Sequence, residues 1–226
     1  MNPLDNIIWH ALTTRQTEFA QSCGETRRFV ADVGPLAGFP EPSDKAYEEL
    51  AELAKLGGGI IALFLEEPFQ PRAGWRAIKG APLIQMVREN GAAPDAPSSL
   101  VQPLGAADND EMVALATLTQ PGPFGPRTRE LGSFFGIRQN GKLIAMAGER
   151  MKVPGHTEIS AVCTHPDYLG KGYAAALINK AMQGILDRGE MPFLHSRVDN
   201  TRAIELYTRL GFRERSLRHY VVLVRE

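Results

Sequence analysis

His165-Pro166-Asp167-Tyr168-Leu169-Gly170-Lys171-Gly172-Tyr173-Ala174 is the stretch on which the reading of this chain turns. It lies between a run suited to a strand, His156 to Thr164, and a helix beginning near Lys171. In that helix Ala174, Leu177, Ile178, Ala181, Met182, Ile185 and Leu186 recur at three- and four-residue steps. The first amides of a helix lack partners within it and carry the positive end of its dipole. Glycines at that point let an anion approach the main chain closely. The segment therefore reads as an anion site, with a turn that merely opens a helix as the plainer alternative.

Outward from this loop the second half of the chain parses readily. Asp108 to Thr119 suits a helix that stops before Pro121-Gly122-Pro123-Phe124-Gly125-Pro126. Ser133 to Gln139 and Lys142 to Arg150 flank Asn140-Gly141, a strong hairpin signal because both turn residues tolerate positive φ. Downstream, Pro192 to Val198 reads as a buried strand, Asn200 to Leu210 as a helix ending at Gly211, and Arg218 to Arg225 as a final strand. The order β-β-β-α-β-α-β after a helix specifies an α+β sheet containing one parallel strand-helix-strand unit.

The first half is less legible. Asp44 to Leu56 carries a helical stripe behind Ser43 as N-cap, and Ile60 to Leu65 reads as a buried strand. Gly91 to Ser99, with two prolines among small residues, marks a linker. The expected organisation is a smaller α/β domain over 1–92, a linker over 93–100 and a second domain over 101–226. The first half is a candidate degenerate copy of the second.

With 226 residues, 43% hydrophobic and 23% charged, the chain matches a globular protein, and its net charge of -1 gives no footprint for nucleic acid. Cys23 and Cys163 lack disulfide or metal spacing, so the cytoplasm is the expected compartment. No run of 18 apolar residues occurs, so no membrane is expected.

Three phosphate-binding readings compete for the loop. No segment supplies the G-x-x-x-x-G-K-[ST] of a P-loop. Gly170-Lys-Gly172-Tyr-Ala-Ala175 fits the looser dinucleotide pattern, and Glu190 stands 20 residues beyond Gly170, but only one βαβ unit follows where that fold needs a series. The third reading is coenzyme A.

Here the segment from Glu158 through Phe212 resembles the GNAT superfamily of N-acetyltransferases. The family's [QR]-x-x-G-x-[GA] loop aligns with Asp167 to Gly172, with Asp167 in place of Gln or Arg. Its N-x-x-A-x-x-x-Y-x-x-x-G-F pattern aligns with Asn200, Ala203, Tyr207, Gly211 and Phe212. The resemblance covers about residues 101–226. It implies a GNAT-like mixed central sheet flanked by helices, and direct acetyl transfer from acetyl-CoA to a primary amine of a small molecule or peptide.

By that resemblance Tyr207 is the general acid and Glu158 the general base, with Glu149 in reserve. Main chain near Val162, Cys163 and Thr164 would meet the thioester and pantetheine arm. The amides of Leu169, Gly170, Lys171, Gly172, Tyr173 and Ala174 would hold the pyrophosphate, and Asn200 would touch the cofactor or only cap its helix. Cys163 reads as a buried filler. Phe124 and Arg127, on the proline-rich loop, are the candidates for acceptor contact. No metal is expected, and a homodimer is compatible with the reading. A catalytically silent acyl-CoA-binding or interaction module is the alternative function.

Overall fold

The computed structural model describes residues 2–88 and 99–226. The helix expected after the glycine loop is α4 (Tyr173–Asp187), and its apolar stripe is buried: Leu177, Ile178, Ala181, Met182 and Ile185 are all inaccessible. Each of the Leu, Ile and Met side chains contributes on the order of 1.5 to 3 kcal/mol, and the Ala181 methyl less. Its neighbour α5 (Thr201–Arg209) begins at Asn200, whose side chain accepts a hydrogen bond from the Ala203 amide. Upstream, α3 (Asn109–Thr119) and α2 (Asp44–Lys55) fall where the stripes place them, and Ser43 caps α2 as expected. A shorter helix, α1 (Ile7–Thr13), went unread because it spans only two turns.

Eight strands form one sheet in the order β4-β11-β5-β10-β9-β8-β7-β6. They are β4 (Ile60–Leu65), β5 (Trp75–Val87), β6 (Val101–Leu104), β7 (Phe134–Gln139), β8 (Lys142–Val153), β9 (His156–Thr164), β10 (Met191–Arg197) and β11 (Arg213–Arg225). Among the strands of the described residues β9 and β10 are the pair that runs parallel, as the crossover through α4 requires, and Leu36 adds a single parallel bridge to Ala62 of β4. A small antiparallel sheet of β1 (Ala20–Cys23), β2 (Thr26–Phe29) and β3 (Ala37–Gly38) stands beside it.

Strand alternation distributes the helices. On β10, Leu194 packs with α4 and α5 while Phe193 packs with α1. On β8, Met146 meets α3 while Ala145 and Ala147 meet Leu177 of α4. The sheet is thus covered on both faces, α4 and α5 lying opposite α1 and α3. Among the described residues no helix is long and apolar enough to cross a membrane.

The boundary expected between two domains is not where the hydrogen bonding divides. Residues 93–98 of the linker lie outside the described residues, but the strands on either side share one sheet. β5 is inserted between β10 and β11, and β4 pairs with the far side of β11. The first half therefore completes the sheet of the second, and it does not form a second copy of it. Its long strand escaped the sequence reading because Gly80 and Pro82 interrupt the pattern. Pro82 is tolerated just past the last β10 pair, Arg197 with Leu83.

A fragment of residues 101–226 is accordingly expected not to fold, since β10 and β11 would lose the strand between them. Thermal unfolding followed by circular dichroism should show no cooperative transition for the fragment, and a sharp one would contradict this topology.

Candidate active site

The site begins where β9 and β10 separate. The two strands pair at Met191 with His156, Pro192 with Thr157 and Phe193 with Glu158, and no further. Beyond Glu158 the edge of β9 facing β10 has no strand partner. On its other edge the register against β8 jumps between Gly148–Ser160 and Met146–Cys163, and Ala161 in this bulge has φ of 53°. A non-glycine residue there costs on the order of 1 to 3 kcal/mol, which packing must offset. Ala161 is held by the cluster that α3 makes with Met146 and Cys163.

A cleft of about 660 Å³ passes through this opening, lined by Val162, Cys163, Thr164, Asn200 and Tyr207, and by Phe64, Arg150, His195, Tyr220 and the loop Pro121 to Gly125. Leu169 to Ala174 stand outside its wall, at the N-terminal end of α4. There Gly170 and Gly172 have φ of 79° and 77°, with nothing near the position a Cβ would take. No side chain caps α4, so its first amides are free of side-chain partners. Lys171 lies over the Tyr168 ring at 5.2 Å. Main chain alone can hold an anion here, which is what the loss of Gln or Arg at Asp167 requires.

Tyr207 lines the cleft, and its hydroxyl makes no hydrogen bond among the described residues. Burial pushes its pKa up to about 12, so it keeps its proton at any physiological pH. Asn200 caps α5, and it also lines the cleft. Cys163 is buried, and burial pushes its thiol up to about 11, which leaves it inert as a nucleophile.

Glu158 does not fit the role of general base. It is fully buried and absent from the cleft wall. Its carboxylate accepts from Arg150 Nε at 2.8 Å and Nη2 at 2.7 Å, and from His195 Nδ1 at 2.8 Å. Burial alone would raise its pKa, but Arg150 and His195 hold it down to about 2, where it has almost no proton affinity at neutral pH. Glu149 fares no better, being buried against Lys152 and Arg188. Glu158 instead positions the two groups that do line the cleft, Arg150 and His195.

His195 is the residue the sequence reading missed, since a lone histidine within a strand carries no motif. Its Nδ1–H is directed at the ionised Glu158, so Nε2 is the acceptor, 3.1 Å from the Gln85 amide nitrogen. Gln85 is fixed in turn, donating to Leu4 O and accepting from Arg215. Burial lowers the pKa of His195, against the pull of Glu158, which leaves it neutral at pH 7.

The two acceptor candidates separate. Phe124 lines the cleft, edge-on to Phe134 at 5.7 Å, whereas Arg127 turns away to pair with Glu130. Its main-chain amide instead ties the loop to Asp32 O at 2.9 Å. A Cβ on Gly125 would stand 2.4 Å from that same oxygen, so only glycine lets the loop lie so close. Ala31, Gly34 and Pro35 thereby join the cleft wall.

Residues 134–222 match the family model for FR47-like protein. A crystal structure from Novosphingobium aromaticivorans, assigned to the GNAT family of acetyltransferases, superposes with a TM-score of 0.90 at 41% identity over 100% of both chains. An uncharacterized N-acetyltransferase of Methanocaldococcus jannaschii is 34% identical over 99 residues, 39% of this chain and 42% of that one. The N-alpha-acetyltransferase RimI of Mycobacterium tuberculosis is 31% identical over 105 residues, 43% of this chain and 65% of its own. The aligned segments thus span less than two thirds of either curated relative.

Glu158→Gln should destabilise the protein by about 3 to 5 kcal/mol, because it leaves the buried Arg150 charge uncompensated. The native carboxylate, with its pKa depressed, stabilises the fold above the usual carboxylate range. It loses that contribution as pH falls from about 4.5 towards 2. Urea unfolding of both proteins between pH 2 and 7 should therefore show a gap that closes with acid; a constant gap would contradict the ion pair.

Proposed function

The chain belongs to the GNAT family of acetyltransferases, and from that premise we propose that it transfers an acetyl group from acetyl-CoA directly to a primary amine. The observation that carries this reading is the opening between β9 and β10, with an unpaired strand edge, an uncapped helix N-terminus beside it and the free Tyr207 hydroxyl in the same cleft. The residues present fit coenzyme A. The amides of Gly170 to Ala174 would hold its pyrophosphate, the Leu169 amide already donating to Pro166 O at 3.4 Å, and the β9 edge at Val162 to Thr164 its pantetheine arm. Acetyl-CoA supplies the activated acyl group and a thiol leaving group.

The chain's own residues then handle protons. A lysine-like amine has a pKa of about 10.4, so freeing its lone pair at pH 7 costs roughly 4 to 5 kcal/mol. Of the ionisable side chains lining the cleft among the described residues, Arg150, Arg197, Tyr207, Tyr220 and Cys163 have values held at or pushed above their already high ordinary ones, and keep their protons at that pH. His195 alone has a lone pair to offer, at Nε2. We assign it the amine proton, taken as the ring exchanges its contact with Gln85, with Glu158 stabilising the imidazolium that forms. Tyr207 donates to the departing sulfur.

Tyr207→Phe should lower kcat on the order of 100-fold or more while acetyl-CoA affinity, read by calorimetry, stays within a few-fold. Unchanged kcat would remove Tyr207 from the chemistry. Acetyl-CoA binding with no turnover across an amine panel would leave a silent binding module. Turnover of any amine would exclude that alternative.

A further inference from the structure

We infer that the acceptor amine carries a carboxylate, bound by Arg150 and Lys79 on the wall of the cleft away from α4. This deepens the acetyl-transfer reading and rests on it. Arg150 is more than nine-tenths buried and spends Nε and Nη2 on Glu158, yet its Nη1 makes no hydrogen bond among the described residues. That nitrogen reaches towards the proline-rich loop, where a Cβ built on Gly122 would stand 3.9 Å from it. Nη1 is not among the sealed polar atoms, so this edge of a largely buried guanidinium opens into the cleft with a donor to offer an anionic ligand.

The surroundings point the same way. Phe64 of β4, Tyr220 of β11 and Ala81 of β5 form one cross-strand row, and Lys79 lies two residues along β5 on the same face, opposite Val222. All five line the cleft with Arg150, whose guanidinium carbon is 6.0 Å from the Phe64 ring. Lys79 has no ion pair or hydrogen bond among the described residues, and Tyr220 contributes a hydroxyl that is likewise free. No Asp or Glu lines the cleft among the described residues. Arg150 is balanced by Glu158 and Arg197 by Asp199, which leaves the ammonium of Lys79 uncompensated. Three donors, one guanidinium edge, one ammonium and one phenol, match the two oxygens of a carboxylate.

The same arrangement sets the acceptor's other end. A site of positive potential disfavours a second ammonium and so lowers the pKa of an incoming amine, which helps the deprotonation that His195 completes. Polycationic acceptors are disfavoured for the same reason, and a volume of about 660 Å³ suits a small molecule.

The test compares kcat/KM for matched amines: β-alanine and 4-aminobutanoate, their carboxamides, 2-aminoethyl phosphate and spermidine. The acids should exceed their amides on the order of 10- to 100-fold, with spermidine poorest. In Lys79→Met, an exposed site that should fold normally, and in Arg150→Lys, which keeps a cation against Glu158, that ratio should fall while the dissociation constant for acetyl-CoA holds. Amides accepted as well as acids would overturn the inference and leave acetyl transfer standing, as would a ratio unchanged in Lys79→Met, weakened acetyl-CoA binding in that variant, or a preference for the phosphate. Failure of the native protein to acetylate any amine would instead sink the transfer reading beneath it.

Discussion

Glu158 occupies the last paired position before β9 and β10 part, and the geometry of the cleft follows from what its carboxylate grips. It holds Arg150 of β8 on one side and His195 of β10 on the other, so the three strands are tied together directly behind the place where two of them open. The opening itself is not free. It leaves a strand edge unpaired and holds Ala161 in a left-handed conformation, and both are sustained by packing from α3 and α4. Strain at such a point is commonly retained where a ligand uses the exposed main chain. A charge this deeply buried is justified less by stability than by the orientation it gives its partners.

The first half of the chain acquires a purpose from this frame. β5 fills the space between β10 and β11, and β4 widens the sheet beyond β11, so Phe64, Lys79, Ala81 and Leu83 are brought against the cleft. The segment around Ala31 to Pro35 closes it from above, tied to the proline-rich loop through Asp32 and through Thr128, whose hydroxyl donates to Val33 O at 2.6 Å. The part of the chain outside the family motifs thus forms the wall farthest from α4, where an acceptor would be read.

Most of the second half was legible because each element announced itself locally. Asn140-Gly141 fixed one hairpin, the stripe from Ala174 to Leu186 fixed α4, and Gly170 and Gly172 marked the turn before it. What stayed hidden was tertiary. β5 carries Gly80 and Pro82 within thirteen residues, and its place between β10 and β11 depends on partners more than a hundred positions away. Glu158 reads from the motif as the general base, but its place depends on burial and on Arg150 and His195, which no local pattern reveals. His195 had no signal at all, since its importance comes from facing Glu158 across the gap. Arg127 was named for its loop, yet an adjacent glutamate holds it outside.

The central claim is that the parted strands and the uncapped turn of α4 together receive coenzyme A. The most direct measurement is a crystal structure of the protein grown with the cofactor. The account predicts the pyrophosphate on the amides of Gly170 to Ala174 and the pantetheine arm along β9 from Val162 to Thr164, its sulfur within hydrogen-bonding distance of the Tyr207 hydroxyl. Cofactor bound elsewhere, with β9 and β10 closed against each other beyond Glu158, would contradict it.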